Sequence, residues 1–313
     1  MDAAQLKSAI QPFLDHVRDI WCRGDTDAYA YCMSWMASLV QRPWRKLGVA
    51  IVLQGQPGSG KGSIVTEILA KIIGPHHFSH VTGLGQICGQ FNAPALATAC
   101  LVFVDEAMCS GNKQHAAKLK TLITESQHTV ENKYAPALSV ESFANYILSS
   151  NEDHVVAIEH KDRRYFALQT DNRFSGSQTA ERKAYFDQLL AVPVELVAKY
   201  LYQFDIAAFN PRQVPTTDLQ RAQKLLTLQT GGVDTWLLRC IEKGALPQPS
   251  GETDVGAAFR WEATRLKAAV YDDYHAQAGA HPKPGERMKQ QKLCAWCAAI
   301  QWTEMPHSVG QNY

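Results

Sequence analysis

The clearest chemistry in the chain lies at Gly55-Gln56-Pro57-Gly58-Ser59-Gly60-Lys61. Glycines at this spacing let a loop turn successive backbone N–H groups onto phosphate oxygens, and a lysine at its end adds a mobile cation for the β- and γ-oxygens. The next residue is Gly62, where the usual phosphate-loop pattern has Ser or Thr, so the hydroxyl for Mg²⁺ falls to Ser63. The stretch Gly55 to Ser63 is therefore the candidate ATP-binding loop. Its bland alternative is a glycine turn with an exposed lysine.

A second group of residues comes at intervals after it. Leu101-Val-Phe-Val104 runs into Asp105-Glu106, an acidic pair ending an apolar run. Beside a phosphate loop, Asp105 suits Mg²⁺ and Glu106 suits activation of water, although such a pair also serves as an ordinary helix N-cap. Asn145-Tyr-Ile-Leu-Ser-Ser-Asn151 ends in an amide able to contact a γ-phosphate or hold the lytic water; Asn at such a place is also a common turn former. Asp162-Arg163-Arg164-Tyr165-Phe166 puts two guanidinium groups before another apolar run, either as a phosphate-seeking finger or as a solvated surface pair.

These residues need elements to hold them. Val49 to Leu53 and Ala99 to Val104 are continuous apolar runs, as in strands covered on both faces, and Tyr146 to Leu148 predicts a third. Helical spacing recurs at 64–73 and 115–124, so strands alternate with helices and the class is α/β with a parallel sheet. Ahead of it, 3–41 predicts two helices broken at Arg23-Gly24-Asp25. His76, His77 and His80 read as a turn after Gly74-Pro75. Beyond Phe174 the pattern predicts helix over 180–204 with an interruption at Pro193, a linker over 211–217, and a small, mainly helical domain over 211–313.

With 313 residues, 46% apolar and 19% charged, the chain is globular, and its net charge of +1 excludes a uniformly basic nucleic-acid coat. The N-terminus shows no secretory pattern and no apolar run approaches the ~18–20 residues of a membrane span. Eight scattered cysteines suit a reducing compartment, so a cytoplasmic protein without a membrane partner is expected.

The ordered set GQPGSGKGS, LVFVDEA, LKTLITE with ENKY, ILSSN and DRRYFAL resembles the superfamily 3 helicase domain of the AAA+ class, in particular primase-associated helicases of phages, plasmids and large DNA viruses. The resemblance implies an ATPase domain over 48–210 behind a helical segment at 1–47. It implies a ring of subunits, usually a hexamer, that binds ATP and Mg²⁺ and pulls single-stranded DNA through its pore, in company with a primase or polymerase. By position, Lys61 and Ser63 would hold ATP and Mg²⁺, Asp105 and Glu106 would form the acidic pair, Asn151 would be the sensor, and Arg163 or Arg164 the finger into a neighbouring subunit. The family's pore hairpin falls within 118–134, where Lys118, Lys120, Lys133 and Tyr134 are the candidate DNA contacts.

Such helicases usually carry a fused primase module, and nothing before residue 55 is long enough to be one. The basic run Lys283 to Lys292 suits a winged-helix-like module or a wet surface, and Cys294-Ala-Trp-Cys297, lacking a second pair, suits a helical core better than zinc. Two other functions fit a phosphate loop: a nucleotide or small-molecule kinase, and an ATP-dependent assembly switch. Glu106 argues against the first, since a kinase protects its phosphoryl group from water, and the intact Lys61, Glu106 and arginine set argues against the second.

Overall fold

The computed structural model describes residues 2–107, 113–152, 155, 158, 162–176 and 179–228. The expected helices near 233–243, 257–276 and 289–300, the basic run from Lys283 and the Cys294/Cys297 pair lie outside the described residues. The chain divides into two compact units, Met1–Lys224 and Leu225–Tyr313. The sheet and the candidate loop belong to the first unit.

Asp2 caps α1 (Ala3–Ala9) in a reciprocal box with Gln5. Helix α2 (Gln11–Asp15) continues into a π-helical turn at His16–Trp21. Arg23 and Gly24 then enter the left-handed region, at φ 51° and 82°, and Asp25 caps α3 (Thr26–Gln41) by accepting from the Asp27 and Ala28 amides. The expected break is at Arg23-Gly24-Asp25; the first of the two expected helices is itself divided at Ile10 and by the π turn. Trp35, fully buried on α3, donates its indole N–H to the Val49 carbonyl at 3.0 Å and so fixes the lead-in helices to the start of β1 (Ala50–Gln54).

After β1 come the candidate loop, a π turn at Val65–Leu69 running into α4 (Ala70–Ile73), and β2 (Phe78–Val81). Short helices α5 (Gly85–Cys88) and α6 (Ala93–Leu96) precede β3 (Leu101–Val104) and α7 (Lys113–Thr124). A hairpin, β4 (Gln127–Val130) with β5 (Leu138–Glu141), leads to β6 (Asn145–Ser150) and β7 (Tyr165–Gln169). Helices α8 (Ala180–Leu190), α9 (Val194–Gln203) and α10 (Asp218–Leu228) come last.

Five strands form one sheet in the order β2-β3-β6-β1-β7, and every pairing is parallel. β1, β3 and β6 are buried at every position, because helices cover both faces. Ile51, Leu53 and Phe103 face the lead-in helices and α9, whereas Val52, Val104 and Leu148 face Leu119, Leu122 and Ile123 of α7. Among the described residues no helix is long and apolar enough to cross a membrane.

Two features differ from the sequence expectations. His80 belongs to the edge strand β2 rather than to a turn; Ser79 and His80 interrupt the apolar pattern by which a strand is recognised. The first unit also continues past 211 to Lys224. Tyr31 donates to the Pro211 carbonyl, the Thr217 hydroxyl to the Ala167 carbonyl, and the Gln220 amide to the Tyr165 carbonyl at 3.3 Å, so this segment covers the outer edge of β7.

Asn145 ties the entry of β1 to the start of β6. Its Oδ1 accepts from the Leu47 amide at 2.8 Å while its Nδ2 donates to the Phe143 and Arg45 carbonyls, and only 2% of the residue is exposed. Asn145→Ala leaves those buried groups unpaired and should cost about 2–4 kcal/mol in urea unfolding; a loss below about 0.5 kcal/mol would contradict this role.

Candidate active site

The loop begins where β1 ends, at the carboxyl edge of the sheet, between the ends of β6 and β7. The Gly55 amide donates to the Ser150 carbonyl at 3.1 Å and the Gln56 amide to Asn172 Oδ1 at 3.0 Å. A Cβ on Gly55 would stand 2.0 Å from Thr170 Oγ1, so no larger residue fits without displacing the Thr170 side chain. Gly58 and Gly60 adopt φ of 78° and 94°, which glycine reaches without steric cost. Gly62 then accepts from the Val65 and Thr66 amides at 2.9 and 3.0 Å, so the next helix starts directly behind the loop with Ser63 in its first turn.

Lys61 is 7% exposed, and its ammonium donates to the Gly55 carbonyl at 2.8 Å, the Gln56 carbonyl at 3.1 Å and Asn151 Oδ1 at 2.5 Å. Burial pushes its pKa down, and the charge of Asp105 opposes that shift. Three acceptors match three ammonium hydrogens.

Asp105 Oδ1 accepts from the Ser149 hydroxyl at 2.8 Å and from the Glu106 amide at 3.1 Å. The backbone bridges strands on both sides, with the Asp105 amide on the Val81 carbonyl and the Ala107 amide on the Ser149 carbonyl. Glu106 is exposed and sits at φ 53°, a left-handed conformation that costs a non-glycine residue roughly 1–3 kcal/mol. Loop, acidic pair and Asn151 thus lie along one edge of the sheet. The Asp105 carboxylate and the Ser149 hydroxyl beside it are hard oxygen groups of the kind Mg²⁺ takes.

The arginines lie at the other edge. The Ala50 amide donates to the Arg164 carbonyl, which places Arg163 and Arg164 at the amino ends of β1 and β7. Five residues of β7 separate Arg164 from Thr170, roughly 16 Å of strand. Arg164 pairs with the buried Asp162 at 3.3 Å, and Lys120 reaches the same carboxylate at 3.9 Å. Lys118 is half-buried on α7; burial pushes the nearby Cys88 thiol up to about 11, and the Lys118 charge opposes that shift.

Lys133 and Tyr134 stand at the hairpin tip. Tyr134 is 94% exposed at φ 66°, with the Lys133 ammonium 5.2 Å from its ring centroid. Asn92 and Ala93 clasp the hairpin through the amide and carbonyl of Glu131, and the preceding Phe91 is half exposed at φ 56°. The hairpin's base rests on Lys46, which donates to the Glu125 carbonyl at 2.7 Å and to Ser142 Oγ at 3.3 Å and lies 2.8 Å from His128 Nε2. Burial lowers Lys46 to about 8; burial and that ammonium lower His128 to about 4. Sequence reasoning missed Phe91, whose signal is an aromatic inside Gly-Gln-Phe-Asn, and missed Thr170, Asn172 and His16, which carry no sequence signal.

Known proteins resemble the region that carries this site. Residues 53–164 match a family described as a family of unknown function (DUF5906). Over 201 residues the chain is 28% identical to the DNA primase-polymerase of Nitratiruptor phage NrS-1, covering 63% of this chain and 27% of that protein. The apo A-form structure of the NrS-1 C-terminal region superposes with a TM-score of 0.58 at 25% identity, covering 70% of this chain and 51% of that one. A further apo structure of that region gives a TM-score of 0.60 at 23% identity over 82% and 61% of the two chains. The chain therefore spans about a quarter of the primase-polymerase it resembles, within the C-terminal part.

Buried neutral histidines make the fold acid-sensitive. His16 is fully buried and its pKa is lowered by that burial to about 4, against 6.5 in an unfolded chain. Between those values only the unfolded chain takes up the proton, so stability is full above about 6.5 and falls as pH drops towards 4, by roughly 3 kcal/mol for this group. Urea unfolding at pH 7 and pH 4 should show that loss in the parent and a smaller one in His16→Gln. Equal losses would contradict it.

Proposed function

We propose that the chain is the motor domain of an ATP-driven DNA helicase or translocase of the AAA+ superfamily 3 type, serving phage DNA replication beside a primase or polymerase. One observation carries the reading: Lys61, the Asp105-Glu106 pair and Asn151 converge on the carboxyl edge of a parallel sheet whose loop-bearing strand lies between β6 and β7. Similarity to a phage DNA primase-polymerase, and to its C-terminal region, supports the replication setting.

Position suggests the roles. Lys61 exchanges its loop carbonyls for β- and γ-phosphate oxygens, while Asn151, already on its ammonium, moves to the γ-phosphate or the attacking water. Mg²⁺ held by Ser63 and Asp105 would neutralise phosphate charge. Glu106, exposed beside Asp105, accepts the proton of the water. Arg163 and Arg164 stand too far along β7 to reach the nucleotide of their own chain, which favours a ring in which each subunit's arginine completes its neighbour's site. In the pore of that ring, Lys133 neutralises phosphate and Tyr134 stacks on a base, with Phe91 as a second aromatic plane.

Glu106→Gln keeps the shape of the side chain but cannot take a proton, so ATP should bind with parental affinity while hydrolysis falls by at least about 100-fold. Turnover within a few-fold of the parent would remove Glu106 from the mechanism. For the hairpin, fluorescence anisotropy with a labelled single-stranded oligonucleotide should show Tyr134→Ala weakening binding by about 1–3 kcal/mol per stacked base and Lys133→Ala flattening the salt dependence. Basal ATPase should persist in both. Unchanged DNA binding in both variants would show that the strand does not pass this hairpin.

A further inference from the structure

The glycine loop is also held from behind, by groups that the proposed ATPase chemistry leaves unused. His16, in the π-helical turn, places Nε2 3.1 Å from the Gly60 carbonyl oxygen and Nδ1 3.0 Å from the Tyr185 hydroxyl. A carbonyl only accepts, so Nε2 carries the proton; the bare Nδ1 then accepts from Tyr185. The carbonyl selects this tautomer, and the Tyr185 hydroxyl, able to donate or accept, complements it by donating to Nδ1. Tyr185 is itself fixed by stacking on Phe174, with ring centroids 4.2 Å apart. The approach is close: a Cβ on Gly60 would stand 2.8 Å from His16 Cε1 and 3.0 Å from the Phe186 ring.

This contact reaches the phosphate side through one peptide unit. In a planar trans peptide the carbonyl and the following N–H point in opposite directions. Holding the Gly60 carbonyl against His16 therefore turns the Lys61 N–H away from the helical wall. We propose that His16, held in its Nε2-protonated form by the Gly60 carbonyl and seated by Tyr185, is a positioning residue that aims the Lys61 amide at a bound phosphate. The inference rests on the reading of this loop as a nucleotide site. Its ligand is the phosphate chain of a nucleoside triphosphate, and its effect falls on affinity rather than on the hydrolytic step, which belongs to the opposite side of the phosphate.

The test compares the full chain with His16→Leu, His16→Gln, Tyr185→Phe and Lys61→Ala, using ATP titrations and steady-state hydrolysis. His16→Leu should weaken ATP binding roughly tenfold, the cost of one unmade hydrogen bond to a buried carbonyl, with kcat at saturating ATP within about twofold. His16→Gln, whose amide N–H can reach the same carbonyl, should return affinity to within about threefold. Long-range ¹H–¹⁵N spectra of the parent at pH 7 should show a neutral His16 ring protonated at Nε2, and Tyr185→Phe should keep that proton while shifting the Nδ1 resonance as its hydrogen bond is lost.

Parental affinity in a folded His16→Leu, or an Nδ1-protonated or doubly protonated ring in the parent, overturns the proposal. If His16→Leu does not fold, the parent spectrum and the affinity of Tyr185→Phe, expected to be weakened a few-fold, decide it. Lys61→Ala separates the two levels. Loss of ATP binding in that variant beside unchanged binding in the His16 variants rejects the positioning role alone, whereas a parent that binds no nucleotide rejects the nucleotide reading and the proposal with it.

Discussion

Everything at the candidate site depends on the parallel pairing of β1 with β6 and β7. Parallel strands bring all their carboxyl ends to one edge, so a loop after β1, an acidic pair after β3 and an amide after β6 become neighbours although Lys61 and Asn151 are 90 residues apart in sequence. The same rule sends Arg163 and Arg164, which precede β7, to the opposite edge. One constraint thus assembles four of the chemical groups and separates two. The separation is what makes a second copy of the chain part of the proposed site.

The loop is kept in place from three directions. Asn172 holds its first turn and Thr170 meets the Ser59 hydroxyl, Asn151 and the loop's own carbonyls hold Lys61, and His16 holds Gly60. Glycines at 55 and 60 are required because side chains already occupy the space a Cβ would need. The left-handed backbone at Glu106 and the hairpin tip at Tyr134 store strain at the two places where the proposed chemistry and DNA contact occur.

How much of this is legible in the sequence depends on burial. Strands covered on both faces carry continuous apolar runs, so 49–53, 99–104 and 146–148 and the polar residues that follow them can be read directly, close to the observed β1, β3 and the centre of β6. β2 and the hairpin strands expose polar residues and give no such run; the hairpin is indicated only by family resemblance. His16 stays hidden because a lone histidine among Phe13, Leu14, Val17 and Ile20 shows core periodicity, while its partners lie 44 and 169 residues away. Lys120 has the look of a solvated cation on α7, whereas its carboxylate partner Asp162 arrives only when β7 folds beside β1.

The central claim, that one chain's loop works with another chain's arginine, is tested most directly by mixing. An Arg163→Ala/Arg164→Ala variant should bind ATP but hydrolyse it roughly 10³-fold more slowly, and Lys61→Ala should be inactive for want of a nucleotide. Assemblies containing both variants should regain part of the parental ATPase, because some interfaces then join an intact loop to intact arginines. No recovery at any ratio, with mixed assemblies demonstrated by mass, would contradict the account.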